Sequence, residues 1–430
     1  MKWNTSTVLL PLLLVGIVSG AQLMRERHPQ LKCPDTRLVT IYPDMSDVMD
    51  FQMEFFQRLA VPSGEQETSA RRNFLMSPYS VWSGLVMAYI GARNETQRQM
   101  EEVLKLSDKS WTFYLWRELG SMFEAKEEEE DALYEFTMVN RAYFNESLEM
   151  NSLAMDLMNN EMRVFNSNNP SGTVQEINSF VSDATRGRIP ETVTEADMER
   201  AQMVLVNTAY FNGRWIHHFD ATQTARRNFS VDSQTNVYVD MMRQTESFRY
   251  GASESLAMRI LEMRYKGSDI SMFVLMPNPE IGPIETRLDT MMRGMTGSSL
   301  RAMMDGMRVE VVELQMPKFK FEMKMCEEMQ QALMDMGLTN IFDHEMADMS
   351  AFTTSTTLNV DKVIHKNHIE VNEDGTEAAA GTGLISSVLS AQIPVKPVLF
   401  HCNEPFFYMV FDKRTNNMLF MGTYRNPADI

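Results

Sequence analysis

The side chains best suited to catalysis are seven histidines and three cysteines, and their spacing matches no common catalytic motif. The chain contains no G-x-S-x-G nucleophile turn, no H-E-x-x-H helix, no C-x-x-C pair and no glycine-rich phosphate loop. His217 and His218, and the pair His365 and His368, are spaced too loosely to favour a metal site over ordinary packing. We therefore expect a protein that is not an enzyme and that carries no metal or cofactor.

Residues 373–390, EDGTEAAAGTGLISSVLS, are of interest for a different reason, because another protein could attack this segment. Small residues and glycine favour neither helix nor strand. The apolar residues that follow, from Leu384 to Leu389, are seldom left exposed without a purpose. A flexible glycine–alanine linker is the plainer interpretation of this composition.

The same segment would also fit into a β-sheet. If residues 376–386 became a strand with one face on a core, alternate side chains would point inward. Glu377 carries the one charge of this run and would point outward. The inward side chains would all be uncharged: Thr376, Ala378, Ala380, Thr382, Leu384 and Ser386. The segment is therefore suited both to being a loop and to becoming a strand.

The surrounding elements follow from hydrophobic periodicity. The pattern FQMEFFQRL from Phe51 predicts a helix, and residues 74–104 predict two helices that begin at the turn Ser77-Pro78. Residues 201–211 and the run ISMFVLMP are typical of buried strands, and residues 308–321 alternate as a half-exposed strand does. FFYMVF and MLFMGTY predict two more strands, joined by the turn Asp412–Asn417. Together they predict an α+β fold in one large domain.

Composition excludes several partners. The 430-residue chain is 44% hydrophobic and can bury a large core, and its net charge of −18 argues against nucleic acid or an anionic membrane as partner. The acidic run Glu124–Asp131 makes heparin binding at that position unlikely.

The amino terminus predicts secretion. Lys2, the apolar stretch Val8–Val18 and the small residues that follow match a signal peptide over residues 1–21, with an uncleaved anchor as the alternative. Residues 22–46 contain three prolines and predict an irregular extension. Three sequons agree with the secretory route, at Asn94, Asn145 and Asn228. At most one disulfide can form within the chain, because there are three cysteines, Cys33, Cys326 and Cys402.

Six ordered motifs resemble the serpin family over nearly all of residues 50–427. They include NFLMSPYSVWSGLVMAYIGARNETQRQMEEVL, INSFVSDATRGRIPETV, VLVNTAYFNGRWIHHFD and VDKVIHKNHIEVNEDGTEAAAGTG. The resemblance implies a single serpin domain over residues 47–430, with three β-sheets, eight to nine helices and an exposed reactive-centre loop at about 373–398.

The resemblance also implies a function. Inhibitory serpins offer this loop to a serine protease, form a covalent complex with it, and insert the cut loop as a new strand of the central sheet. We expect a secreted, monomeric inhibitor that regulates an extracellular proteolytic cascade. A non-inhibitory relative acting as carrier, chaperone or storage protein is the alternative, and Gly381 and Gly383 favour it because glycine weakens an inserted strand.

The resemblance assigns roles known in the serpin family to individual residues of this sequence. Glu373 matches the hinge glutamate, Lys318 matches its salt-bridge partner, and Trp215 matches the tryptophan beneath the opening of the sheet. A polar cluster under the sheet centre is matched by Ser77, Ser80, Asn207 and His365. The hinge comprises Glu373, Gly375, Thr376, Glu377, Ala378, Ala379, Ala380 and Thr382.

The family's usual interval from the hinge places the scissile bond at Leu389-Ser390. Leucine suits the apolar primary pocket of a chymotrypsin-like or elastase-like protease, and not the acidic pocket of trypsin. Ile385-Ser386 is a weaker option. Lys396 would suit a trypsin-like protease, but Pro397 follows it and would usually block cleavage.

Overall fold

A computed structural model describes residues 43–61, 72–127, 134–158, 160–354, 357–376 and 396–429. The expected signal peptide, most of the expected irregular extension, and loop residues 377–395 lie outside these ranges.

The described elements alternate between helices and strands along the chain. The α-helices are α1 (Met49–Ala60), α2 (Pro78–Gly91), α3 (Asn94–Leu104), α4 (Lys109–Glu127), α5 (Ser152–Leu157), α6 (Pro170–Ala184), α7 (Glu195–Met198), α8 (Ile284–Arg293), α9 (Gly297–Asp305) and α10 (Glu327–Asp335). The strands are β1 (Phe74–Met76), β2 (Tyr134–Asn145), β3 (Met162–Phe165), β4 (Met203–Arg214), β5 (Ala225–Ser230), β6 (Asn236–Ser253), β7 (Met258–Arg264), β8 (Ile270–Pro277), β9 (Arg308–Pro317), β10 (Phe319–Met325), β11 (Lys362–Val371), β12 (Gly375–Thr376), β13 (Val398–His401), β14 (Phe406–Asp412) and β15 (Asn417–Tyr424).

The strands form two hydrogen-bonded sheets among the described residues. The nine-stranded sheet has the order β1-β15-β14-β8-β7-β6-β9-β13, with β5 paired to β6, and the six-stranded sheet has the order β10-β11-β12-β4-β2-β3. Three sheets were expected. The long strand β6 pairs with β5 at its start, with β9 along its middle and with β7 at its end, so hydrogen bonding is continuous between two of the expected sheets. Eight of the described α-helices have nine or more residues, and α5 and α7 are shorter, which fits the expected eight to nine.

Most elements expected from periodicity are confirmed, namely α1, α2, α3, β4, β8, β14 and β15. The single strand expected over residues 308–321 is wrong. The chain forms β9 in one sheet, turns at Lys318 and continues as β10 in the other sheet. The alternating pattern runs through this turn, because both strands have one face on the core. Pro317 lacks a backbone N–H and ends the first ladder.

Helix α2 lies between the sheets. It packs against β2 and β4 of one sheet and β15 of the other, and almost all of its residues are buried. Its start is fixed by Pro78 in the first turn and by Ser77, whose side chain accepts a hydrogen bond from the Ser80 N–H. The helix therefore brings Ser77 and Ser80 beneath the centre of the six-stranded sheet.

The opposite face of the six-stranded sheet is covered by α6. Ile177 and Val181 of this helix belong to a buried cluster with Val204 and Val206 of β4 and Ile364 of β11. Helix α6 thus contributes to one buried cluster that also contains residues of β2, β4 and β11.

Candidate strand-insertion site

The two strands that would flank an inserted loop are already neighbours. Residues Lys362–His368 of β11 pair in parallel with Val204–Tyr210 of β4, and we call this pairing the seam. At one end of the seam the short strand β12 lies between β11 and β4 and is antiparallel to both. A strand that continued β12 along the seam would exchange one parallel pairing for two antiparallel ones, which are slightly more stable per residue.

The turn that leads into β12 is tightly fixed. The Asn372 side-chain oxygen accepts hydrogen bonds from the Asp374 and Gly375 N–H groups at 3.1 and 3.2 Å, and the Asn372 N–H donates to the Gly375 carbonyl at 2.9 Å. Gly375 has φ 156°, and a Cβ at this position would lie 2.0 Å from the Gly213 carbonyl oxygen. Sequence reasoning missed Asn372, although asparagine followed three residues later by glycine is a turn signal.

Glu373 is held by two donors from other elements. Its carboxylate lies 2.8 Å from the Lys318 ammonium and accepts a hydrogen bond from the Thr224 hydroxyl at 2.7 Å. Burial acts to raise the pKa of Glu373, but the hydrogen bonds from Lys318 and Thr224 outweigh it, and the net shift is downward. The expected ion pair between Lys318 and Glu373 is therefore present and ionised at neutral pH.

Trp215 supports the same turn from below. Its indole N–H donates to the Asn372 carbonyl at 3.0 Å, and its backbone N–H donates to the Asp374 carbonyl at 2.9 Å. The indole is buried and stacks on Tyr265, with ring centroids 4.3 Å apart. Trp215 thus lies beneath the end of the seam at which an inserted strand would enter.

A polar network lies under the middle of the seam. His365 of β11 and Asn207 of β4 face each other in register across it. The Ser77 N–H donates to His365 Nε2 at 3.0 Å, and the side chains of Asn207 and Ser80 donate to the Asn140 side-chain oxygen at 2.7 and 3.2 Å. The four expected residues thus lie together: Asn140 of β2 joins Asn207 to Ser80, and the Ser80 N–H donates to the Ser77 side chain at 3.2 Å. Sequence reasoning missed Asn140, because its position opposite Asn207 depends on strand register.

His365 is neutral in this network. Complete burial lowers the pKa of its imidazole to about 3. Since Nε2 accepts the Ser77 N–H, the imidazole proton resides on Nδ1, which has no hydrogen-bond partner in the described part of the chain. If the seam parted, His365 would move away from Asn207 and would expose polar atoms that could take new partners.

Comparison with known proteins gives the same architecture. The family model described as Serpin (serine protease inhibitor) matches residues 46–427. The chain belongs to the serpin family.

Two curated relatives and one solved structure illustrate the similarity. Serpin B4 of Homo sapiens is 31% identical, with 88% of this chain and 97% of the relative covered. Leukocyte elastase inhibitor of Bos taurus is 29% identical, with 83% and 93% covered. The structure of human thyroxine-binding globulin complexed with thyroxine is 23% identical, with a TM-score of 0.75 and 89% and 98% covered, and this likeness concerns the fold alone.

In this serpin a second set of contacts crosses the seam. The segment 185–202, which we call the cover segment, connects α6 to β4 and includes α7. Lys324 of β10 lies 2.8 Å from Asp197, and the Lys362 and Lys366 ammonium groups of β11 donate to the Ala196 and Glu191 carbonyls at 2.8 and 2.6 Å. The cover segment leads into one side of the seam and is held by lysines from the other side. These lysines were not recognised from the sequence, because their partners are distant along the chain.

Several of the expected site residues of this serpin lie outside the residues that the structure describes. Hinge residues 377–380 and Thr382, and the bond Leu389-Ser390, lie outside the described residues, as does Cys33. Cys326 and Cys402 are free thiols and do not bridge to each other. No helix in the described residues is long and apolar enough to cross a membrane.

The sequons differ in accessibility. Asn228 lies on β5 and is exposed. The side-chain amide of Asn94 donates to Asp348, and that of Asn145 donates to the Ala201 carbonyl. Asn94 is exposed as well, whereas Asn145 is half-buried, so Asn145 is the least accessible of the three.

Proposed function

We propose that this serpin inhibits a serine protease by trapping it after cleavage of the reactive-centre loop. The observation that carries the proposal is β12, a two-residue strand that lies antiparallel between β11 and β4 at the end of the seam. The polypeptide that continues from β12 has small, uncharged residues at alternate positions. Its side chains could therefore enter the seam without burying a charge.

The trapping reaction begins as ordinary proteolysis. The protease serine attacks the Leu389 carbonyl, the bond to the Ser390 nitrogen breaks, and the new amine leaves with the proton delivered by the protease histidine. Leu389 remains esterified to the protease. Insertion of the freed loop then pulls the ester away from the protease's oxyanion donors before water can hydrolyse it.

Strand formation supplies the driving force. Each buried backbone hydrogen bond that the new strand makes contributes about 0.5–1.5 kcal/mol. An intact loop is attached at both β12 and β13, so it cannot extend fully along the seam. Cleavage removes this constraint, and for this reason we propose that insertion follows cleavage.

The proposal also covers the type of protease that is inhibited and the compartment in which the protein acts. Leucine before the cut bond suits the apolar primary pocket of a chymotrypsin-like or elastase-like enzyme, and leukocyte elastase inhibitor is among the relatives. The resemblance of residues 1–21 to a signal peptide, together with the sequons, favours a secreted glycoprotein that acts on an extracellular protease.

The test is to mix the purified protein separately with chymotrypsin, neutrophil elastase and trypsin. We expect a complex with chymotrypsin or elastase that survives boiling in detergent, and release of a peptide that begins at Ser390. If a complex forms but the released peptide begins at another residue, the cleaved bond is a different one in the loop. Complete cleavage without any complex would contradict the inhibitory mechanism and favour the carrier alternative.

A further inference from the structure

Strand β5 and the start of β6 present three cross-strand pairs on one exposed face. The two strands are antiparallel, and alternate residues of a strand share a face. The pairs on this face are Arg226 with Asp240, Asn228 with Tyr238, and Ser230 with Asn236. The residues between them point to the other side, where Phe229 and Val239 are buried.

The two outer pairs are closed by their own contacts. The Arg226 guanidinium donates to the Tyr238 carbonyl at 2.9 Å and lies 3.9 Å from the Asp240 carboxylate. The Ser230 hydroxyl donates to the Asn236 side-chain oxygen at 2.8 Å.

The middle pair is open. Within the described ranges, the Asn228 side chain makes no hydrogen bond and the Tyr238 ring makes no contact with another ring or a cation. Tyr238 is 61% exposed, more than Trp111 at 54% or Tyr114 at 52%. Strand β5 pairs with β6 alone among the described strands, so its outer edge leaves room for a bulky group on Asn228.

We propose that Asn228 and Tyr238 form one glycan site, in which the first N-acetylglucosamine on Asn228 packs its apolar face against the Tyr238 ring. The site rests on the secreted glycoprotein proposed above. In glycosylation the Asn228 amide nitrogen bonds to the sugar C1, the bond from C1 to the diphosphate of the lipid-linked donor breaks, and the amide loses one proton.

The spacing of the pair suits this contact. Side chains directly opposite each other across antiparallel strands have Cβ atoms about 4.5–5.5 Å apart. Stacked or tilted rings pack with centroids about 4.5–7 Å apart, so a sugar ring on Asn228 can lie beside the phenol ring. One face of the sugar ring carries C–H groups, which match the apolar face of an aromatic side chain.

The other two sequons lack this arrangement. Asn145 of β2 lies opposite Phe165 of β3, which is buried. Asn94 begins helix α3, and its side-chain amide donates to Asp348. Asn94 therefore serves as an internal comparison, because a sugar there has no aromatic ring opposite it on a neighbouring strand.

The test observes the sugar directly. The full chain, with its own residues 1–21, is expressed in a mammalian cell line that makes oligomannose glycans and is fed ¹³C-labelled glucosamine. Endoglycosidase H then leaves one N-acetylglucosamine at each occupied sequon. We expect the ring C–H protons of the sugar on Asn228 to be shifted upfield in the NMR spectrum relative to those of a sugar on Asn94, because the Tyr238 ring current acts on them.

Matched variants separate stacking from other causes. Tyr238→Leu should abolish the upfield shift and Tyr238→Phe should keep it, since the second retains the ring. Tyr114→Leu removes another exposed tyrosine, on α4, and should also keep the shift. Thermal melts of all three variants check that they are folded.

Two results would overturn the glycan site alone. One is a secreted chain without sugar on Asn228, and the other is a glycosylated chain whose Asn228 sugar has the same chemical shifts in the parent and in Tyr238→Leu. Retention of the chain inside the cell would contradict the proposed secretion and this site together. Failure to trap a protease would contradict the proposed inhibition and leave the glycan site unaffected.

Discussion

Two titratable side chains at the seam respond to acid in different pH ranges. His365 is neutral because it is fully buried, and Glu373 is ionised because Lys318 and Thr224 hold its carboxylate. Both side chains have a lower pKa in the folded protein than in the unfolded chain. Acid therefore destabilises the fold through both residues, first through His365 and at lower pH through Glu373.

We predict that His365 makes the native state sensitive to mild acid. Between its ordinary pKa of 6.5 and its folded pKa of about 3, the unfolded chain binds a proton that the folded protein does not. The free energy of unfolding should then fall by about 1.4 kcal/mol per pH unit below 6.5 from this residue. Urea unfolding of the parent and of His365→Gln at pH 7.0 and pH 5.0 measures the difference in slope.

His344→Gln is the control for this prediction, because His344 is exposed. Its pH dependence should match the parent, whereas His365→Gln should lose a large part of the decline between pH 7.0 and pH 5.0. An unchanged decline in His365→Gln would show that other groups cause the acid sensitivity.

A second residue-scale prediction concerns the hinge ion pair. Lys318→Gln should destabilise the protein at pH 7 by about 0.5–1 kcal/mol, because the Lys318 ammonium is 40% exposed and its interaction is partly screened. Since the pKa of Glu373 is lowered, this loss should be present above the ordinary pKa of glutamate, near 4.5, and should vanish as pH falls through the folded value. Equal destabilisation of Lys318→Gln at pH 7 and pH 3, measured by urea unfolding, would be inconsistent with the ion pair.

At the scale of elements, opening the seam requires more than parting two strands. Insertion would move β10 and β11 away from β4, while the cover segment continues into β4. Lys324, Lys362 and Lys366 join the cover segment to the moving strands. These contacts must break or rearrange, so they should slow insertion.

We predict that Lys324→Gln accelerates strand insertion about two- to fivefold, because it removes the contact with Asp197. A synthetic peptide of residues 376–386 should add to the seam, and its rate of incorporation can be followed by native gel electrophoresis. Lys320→Gln is the matched control. Lys320 lies on the same strand and pairs with Glu370 of β11, which moves with it. Equal rates in the two variants would contradict the role of the cover segment.

Some of these elements can be predicted from the sequence and others cannot, and the reasons are physical. Helices α1 and α2 and strands β4 and β8 are confirmed because each has a clear local period or a continuous apolar run. The division between β9 and β10 was missed because alternation does not reveal which sheet a strand joins. Asn140 and the cover-segment lysines depend on contacts between distant residues, and no local pattern encodes such contacts.

At the scale of the whole molecule, the proposed mechanism requires a fold that has not reached its most stable strand pairing. The seam is parallel, β12 already occupies one end of it, and one buried cluster contains residues of α6 and of both strands. Filling the seam would add hydrogen bonds along its length and would bury the small side chains of the loop. The resemblance to the serpin family predicts the hinge residues from sequence, and the structure places Glu373, Lys318 and Trp215 together at one end of the seam.

The most direct test is the thermal unfolding of the intact protein compared with the same protein cut in its loop. We predict that cleavage raises the melting temperature by more than about 10 °C, because an inserted strand adds many buried hydrogen bonds. Ala380→Arg would place a charge on the inward face and should abolish this rise, whereas Ala379→Arg on the outward face should keep it. An unchanged melting temperature after cleavage of the parent chain would contradict strand insertion.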